Sequence, residues 1–150
     1  MASTGLKPSQ INPKPKPATL SILLIDDTDF WQFFIQRLLL SVNSGLQIHT
    51  LKSAEECQIA SSKWKYDLVI CDHFLGASNR MTGIQFWKSL RDKNILTPFL
   101  LISGLDQAHF QSLIGEELAP PIYFEKPFNK VSFQNCIHRF LIAQELKVSA

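Results

Sequence analysis

Three segments of this chain carry almost unbroken aliphatic runs: LSILLID (20–26), YDLVICD (66–72) and TPFLLIS (97–103). A strand with one wet face alternates apolar and polar residues, whereas continuous runs of this kind suit strands covered on both faces. Between and around them lie segments with helical spacing, at 30–42, 53–64, 82–93, 106–117 and 132–146, and two further strand-like stretches, LQIHTL (46–51) and PIYFE (121–125). Five alternating strand and helix units with such central strands predict a parallel sheet sandwiched between helical layers. In these α/β folds, ligands gather beyond the carboxyl ends of the strands.

The ends of the apolar runs are therefore where chemistry is expected. The first run stops in Asp26, Asp27 and Asp29, three acids within four positions. Two carboxylates about 4 Å apart repel by about 4 kcal/mol at an effective dielectric of about 20, so a cation is expected to offset them. The third strand ends in Asp72, the fourth in Ser103, and Lys126–Pro127 follows the fifth. A parallel sheet with right-handed crossovers brings these ends to one edge. Carboxylates converging there form a hard-cation site suited to Mg²⁺ or Mn²⁺, and Lys126 adds a second positive charge. Asp29 is read as the N-cap of the first helix, and Ser53 with Glu56 as the capping box of the second.

Composition narrows the rest. Among 150 residues, 45% are hydrophobic, with 11 Phe and 3 Trp, enough to build a substantial core. No apolar run reaches the length of about 20 residues that spans a bilayer, so membrane insertion is not expected. Residues 1–19 hold four of the eight prolines, Lys7, Lys14 and Lys16, and no acid; they read as a flexible Pro/Lys-rich tail. The remaining twelve basic residues face thirteen acidic ones, a net charge of −1 that offers no footprint for nucleic acid. Cys57, Cys71 and Cys136 are odd in number and widely spaced, as for reduced core residues of a cytoplasmic protein.

Taken together, IDD after strand 1, ICDHFL around the end of strand 3, LISG after strand 4 and FEKPF at strand 5 resemble the receiver domain of two-component response regulators. The resemblance covers residues 20 to about 146, within a receiver domain expected over 20–148. It implies a flavodoxin-like three-layer sandwich with strand order 2-1-3-4-5. Asp72 would be the phosphoacceptor, and Asp26, Asp27, Asp72 and the Phe74 main-chain carbonyl would bind Mg²⁺ or Mn²⁺. Ser103 and Lys126 would bind the phosphoryl group, Ser103 and Tyr123 would form the switch, and the Lys126–Pro127 peptide would be cis. The implied partners are a histidine kinase or a histidine phosphotransfer protein, and an output protein, around a monomer or weak dimer. The implied role is accepting a phosphoryl group and signalling by a change of surface, rather than turning over a substrate as an enzyme.

Three features add detail. Receivers commonly carry a Pro soon after the phosphorylated Asp and a shorter run to the next helix; here DHFLGASNRMTG leads from Asp72 to Gly83 with no Pro, and includes His73 and Arg80. Phe74 and Leu105 stand where receivers modulate dephosphorylation, and both are apolar. On the first helix, Trp31, Phe34, Ile35 and Leu38 form the buried stripe, while Phe30, Phe33, Arg37 and Leu40 form a second stripe that suits a partner surface. Two other readings stay open. One is a degenerate receiver acting as a phosphorylation-independent binding module. The other is a haloacid-dehalogenase-like phosphatase built on Asp27-x-Asp29, although that family expects an acidic pair after the lysine and only Glu145 follows.

Overall fold

The computed structural model describes residues 19–57, 63–76, 81–116 and 119–149. The element order is β1 (Ser21–Ile25), α1 (Asp29–Val42), β2 (Gln47–Leu51), β3 (Leu68–Asp72), α2 (Gly83–Asp92), β4 (Phe99–Ser103), α3 (Gln107–Ile114), β5 (Ile122–Glu125) and α4 (Lys130–Val148). The strands form one sheet in the order β2-β1-β3-β4-β5, with every neighbouring pair parallel. The three aliphatic runs are its centre: Ile22–Ile25 and all of β3 and β4 are buried, whereas the edge strands β2 and β5 are only partly covered.

Alternation along the central strands splits the core into two layers. Ile22, Leu24, Leu68, Ile70, Leu100 and Ile102 pack with α1 and α4, whereas Leu23, Ile25, Val69, Cys71, Phe99 and Leu101 pack with α2 and α3. The period-2 rule also sorts the residues just past each run. Asp26 and Asp72 continue the phase that faces α1 and α4. Ser103 continues the opposite phase, the side on which Tyr123 packs.

Two local expectations are corrected. The N-cap of α1 is Thr28, whose hydroxyl accepts from Trp31 N; Asp29 is the first helical residue and pairs instead with Lys52 at 2.6 Å. The helix predicted over 53–64 is absent from its described part, where residues 53–57 turn and Cys57 N donates to Ala54 O at 3.0 Å. The capping box fails because Glu56 accepts from Lys52 N, one residue too early. Residues 58–62, Arg80 and all but the last residue of the 1–19 tail lie outside the described residues. The box forms elsewhere, at Thr82 and Gln85, where it starts α2.

Candidate functional site

The carboxyl ends of β1 and β3 present Asp26 and Asp72, both nearly inaccessible to solvent, with Asp27 half-buried beside them. One carboxylate oxygen from each lies within 4.8 Å of the others. Three hard oxygen donors at that spacing fit a small divalent cation such as Mg²⁺. Lys126, arriving from β5, supplies the cation that the acid cluster required. Its ammonium donates to Asp26 Oδ2 and to Asp72 Oδ2, each at 2.8 Å. The Lys126–Pro127 peptide is cis, and Lys126 N donates to Ser103 O at 2.7 Å, tying the lysine to the end of β4.

The remaining oxygens are individually held. Asp26 Oδ1 accepts from Thr28 N at 2.9 Å and from the Thr28 hydroxyl at 2.8 Å, a local Asx-type turn. Gln32 Nε2 bridges Asp26 O and Leu51 O, fixing the end of β1 to β2. Asp72 Oδ1 accepts from Phe74 N at 3.2 Å. Burial pushes the Asp72 carboxyl above its ordinary pKa, while the Lys126 hydrogen bond pulls it back. The Asp72 carboxylate is thus desolvated and only partly neutralised.

Gly83 explains how the backbone of Asp72 is held. A Cβ at Gly83 would sit 2.3 Å from Asp72 O, so no side chain fits. Gly83 N also donates to His73 O at 3.1 Å, closing the base of the 73–82 segment. His73 is buried, and burial lowers its imidazole pKa, which favours the neutral ring. Phe74 is 56% exposed at the rim, and Leu105 is half-buried.

On the opposite phase of the sheet, Ser103 is fully buried and its hydroxyl accepts from Leu105 N at 3.3 Å. The Tyr123 hydroxyl donates to Leu105 O and, at 3.3 Å, to Ser103 O. Its ring stacks on Phe110 with centroids 4.3 Å apart. Burial pushes its phenol up to about 12, so the hydroxyl remains a donor. Ser103, Leu105 and Tyr123 are therefore one connected group, beside the carboxylate cluster and joined to it through Lys126.

Asp29 does not belong to the site. Its side chain is 86% exposed and its partner is Lys52, which removes the second acid that a dehalogenase-like phosphatase motif would require. Three contributors escaped the sequence reading. Thr28 and Gln32 hold Asp26, and Trp31 faces Lys126. Thr28 lies two residues after Asp26, a spacing that signals such a turn; Trp31 read simply as core. On the outer face of α1, Phe30 and Phe33 are 66% and 65% exposed, Leu40 is also exposed, and Arg37 lies over the Phe33 ring at 5.9 Å.

No protein-family model matches the chain. Solved structures similar to it include Vibrio cholerae chemotaxis protein CheY4, with a TM-score of 0.66, 21% identity, and coverage of 82% of this chain and 99% of that one. The signal receiver domain of a LuxO repressor protein from Vibrio parahaemolyticus matches with a TM-score of 0.69 and 17% identity, over 86% and 95% of the two chains. This chain has the receiver-domain fold. The receiver reading also has a sequence relative: the alkaline phosphatase synthesis transcriptional regulatory protein PhoP of Bacillus subtilis (strain 168) is 30% identical over 108 residues, 72% of this chain. The aligned region spans 42% of that relative's length. Asp26, Asp27, Asp72, Ser103 and Lys126 stand together at the carboxyl edge of that fold's sheet. No helix among the described residues is long and apolar enough to cross a membrane.

Proposed function

We propose that this receiver accepts a phosphoryl group on Asp72 and signals by altering the surface around Ser103 and Tyr123. The observation that carries the reading is the junction of Asp26, Asp27 and Asp72 with Lys126 at one desolvated edge. Phosphoryl transfer asks a protein mainly for positioning and charge neutralisation. An Asp72 oxygen attacks phosphorus in line, forming the acyl phosphate O–P bond as the bond from phosphorus to the donor's leaving group breaks. Asp26, Asp27 and Asp72, with the Phe74 carbonyl, would hold Mg²⁺ or Mn²⁺, which when bound neutralises the phosphoryl oxygens. Lys126 exchanges its Asp72 contact for a phosphoryl oxygen, and the Ser103 hydroxyl donates to another. That movement draws on the Leu105–Tyr123 hydrogen bond, so a local change of charge reaches the β4–α3 surface.

The donor would be a histidine kinase or histidine phosphotransfer protein docking on Phe30, Phe33, Arg37 and Leu40, the exposed apolar strip beside the site. The output would be a separate protein that reads the switched surface, and the receiver itself would be a monomer or weak dimer in the cytoplasm.

The test is intact mass after incubation with Mg²⁺ and acetyl phosphate. One phosphoryl adduct is expected on the wild type, lost in Asp72→Asn and with a chelator. No adduct, together with no response to beryllofluoride and Mg²⁺, would overturn the reading in favour of a binding module.

A further inference from the structure

Lys126 has three ammonium donors, and two are directed at Asp26 and Asp72. Trp31, on the first turn of α1, holds its ring face 4.6 Å from the same nitrogen. An indole is the strongest of the aromatic acceptors for a cation, and desolvation strengthens the attraction. Lys126 is largely buried, with its side chain 10% exposed. The indole is itself fixed on several sides. It meets Phe30 and Phe34 edge-on, at 5.4 and 5.7 Å between centroids, and leans on Phe128 at 5.6 Å. Phe128 is two residues beyond Lys126, so the segment that carries the lysine also packs against the ring that faces it.

We infer that Trp31 is a positioning residue that seats the Lys126 ammonium for phosphoryl transfer. An oxygen acceptor in this place would compete for a donor and turn the ammonium away from the site. A ring face attracts the charge without fixing its orientation. The ammonium can therefore swap Asp72 Oδ2 for a phosphoryl oxygen while staying in place. The function of Trp31 rests on the receiver reading of Asp72; the seating itself does not.

The two are separated by experiment. In the unmodified protein, ring current from Trp31 shifts the Lys126 ε-methylene proton resonances upfield. Trp31→Leu abolishes this shift and Trp31→Phe retains part of it. With acetyl phosphate and Mg²⁺, Trp31→Leu is phosphorylated about five- to tenfold more slowly than wild type, and Trp31→Phe stays within about threefold. Leu39→Ala, a cavity two turns along the same helix, lowers the melting temperature without slowing phosphorylation at temperatures where it is folded. Equal rates for Trp31→Leu and wild type would overturn the inference, as would a slowing in Leu39→Ala that matches its loss of stability. A wild type that takes up no phosphoryl group would sink the receiver reading; an unshifted Lys126 methylene would sink the seating.

Discussion

Lys126 and Asp72 meet at 2.8 Å although 54 residues of chain separate them, and the same ammonium also meets Asp26 at 2.8 Å. One cation thus joins the ends of three strands and offsets two buried carboxylates. Its removal leaves both acids facing each other without compensation.

Lys126→Met is accordingly expected to cost about 3–5 kcal/mol at neutral pH without divalent cation, the usual penalty for breaking a buried pair. Urea denaturation measures it. The loss should shrink in acid, where protonation of Asp72 removes one of the two charges, and Mg²⁺ should restore more stability to the variant than it adds to wild type. A constant deficit across pH and Mg²⁺ would mean that packing of the lysine stem, and not its charge, is what matters.

Asp72→Asn should unfold at a higher temperature than wild type. Burial raises the Asp72 pKa above its unfolded value, so the folded chain holds a proton that the unfolded chain has released. The contribution of Asp72 to stability is therefore fully present below its unfolded pKa and is lost as pH rises through the raised folded value. The amide removes this slope and gains about 1 kcal/mol at neutral pH, or about 2–4 °C for a chain of this size. Calorimetry at pH 4 and pH 7, without divalent cation, should find the gain at the higher pH only.

Tyr123→Phe removes the hydroxyl that donates to Leu105 O and Ser103 O while keeping the stack on Phe110. A stability loss of about 0.5–1.5 kcal/mol is expected. Amide hydrogen exchange should quicken between Leu105 and His109, the segment that the phenol anchors. Unchanged exchange there would show that the phenol does not restrain the loop.

Phe74→Asn should shorten the lifetime of the phosphorylated chain severalfold. Phe74 is exposed at the rim and apolar, and with Leu105 it gives water no hydrogen-bonding guide toward the acyl phosphate. Loss of the adduct with time after removal of the donor, followed by mass, measures the decay. An equal rate in the variant would assign the lifetime to other residues.

The site acids and lysine were legible because each terminates a segment whose apolar character fixes it as a central strand or its neighbour. Burial of Ile22–Ile25, β3 and β4 leaves the carboxyl edge as the place for Asp26, Asp72 and Ser103. Contacts made sideways were not legible. The ring of Trp31 reads equally well as core or as the partner of a cation, and only the approach of β5 decides between them. The cap of α1 moved from Asp29 to Thr28 because Thr28 also binds Asp26, while Asp29 is drawn to Lys52, a residue just past the carboxyl end of β2. The turn at 53–57 likewise shows a local signal, Ser53 with Glu56, overruled by hydrogen bonding outside its own window.

Gly83 leaves no room for a side chain against Asp72 O and accepts His73 O as the partner of its amide. The chain thus departs from β3 and returns to it at one cinched point. Phe74 lies inside that span and its amide holds Asp72 Oδ1, so the first residues after β3 stay tied to the carboxylate. The place of return is riveted by Gly83, so the number of residues that the sequence sets between Leu75 and Met81 can change without moving the point at which the chain rejoins β3.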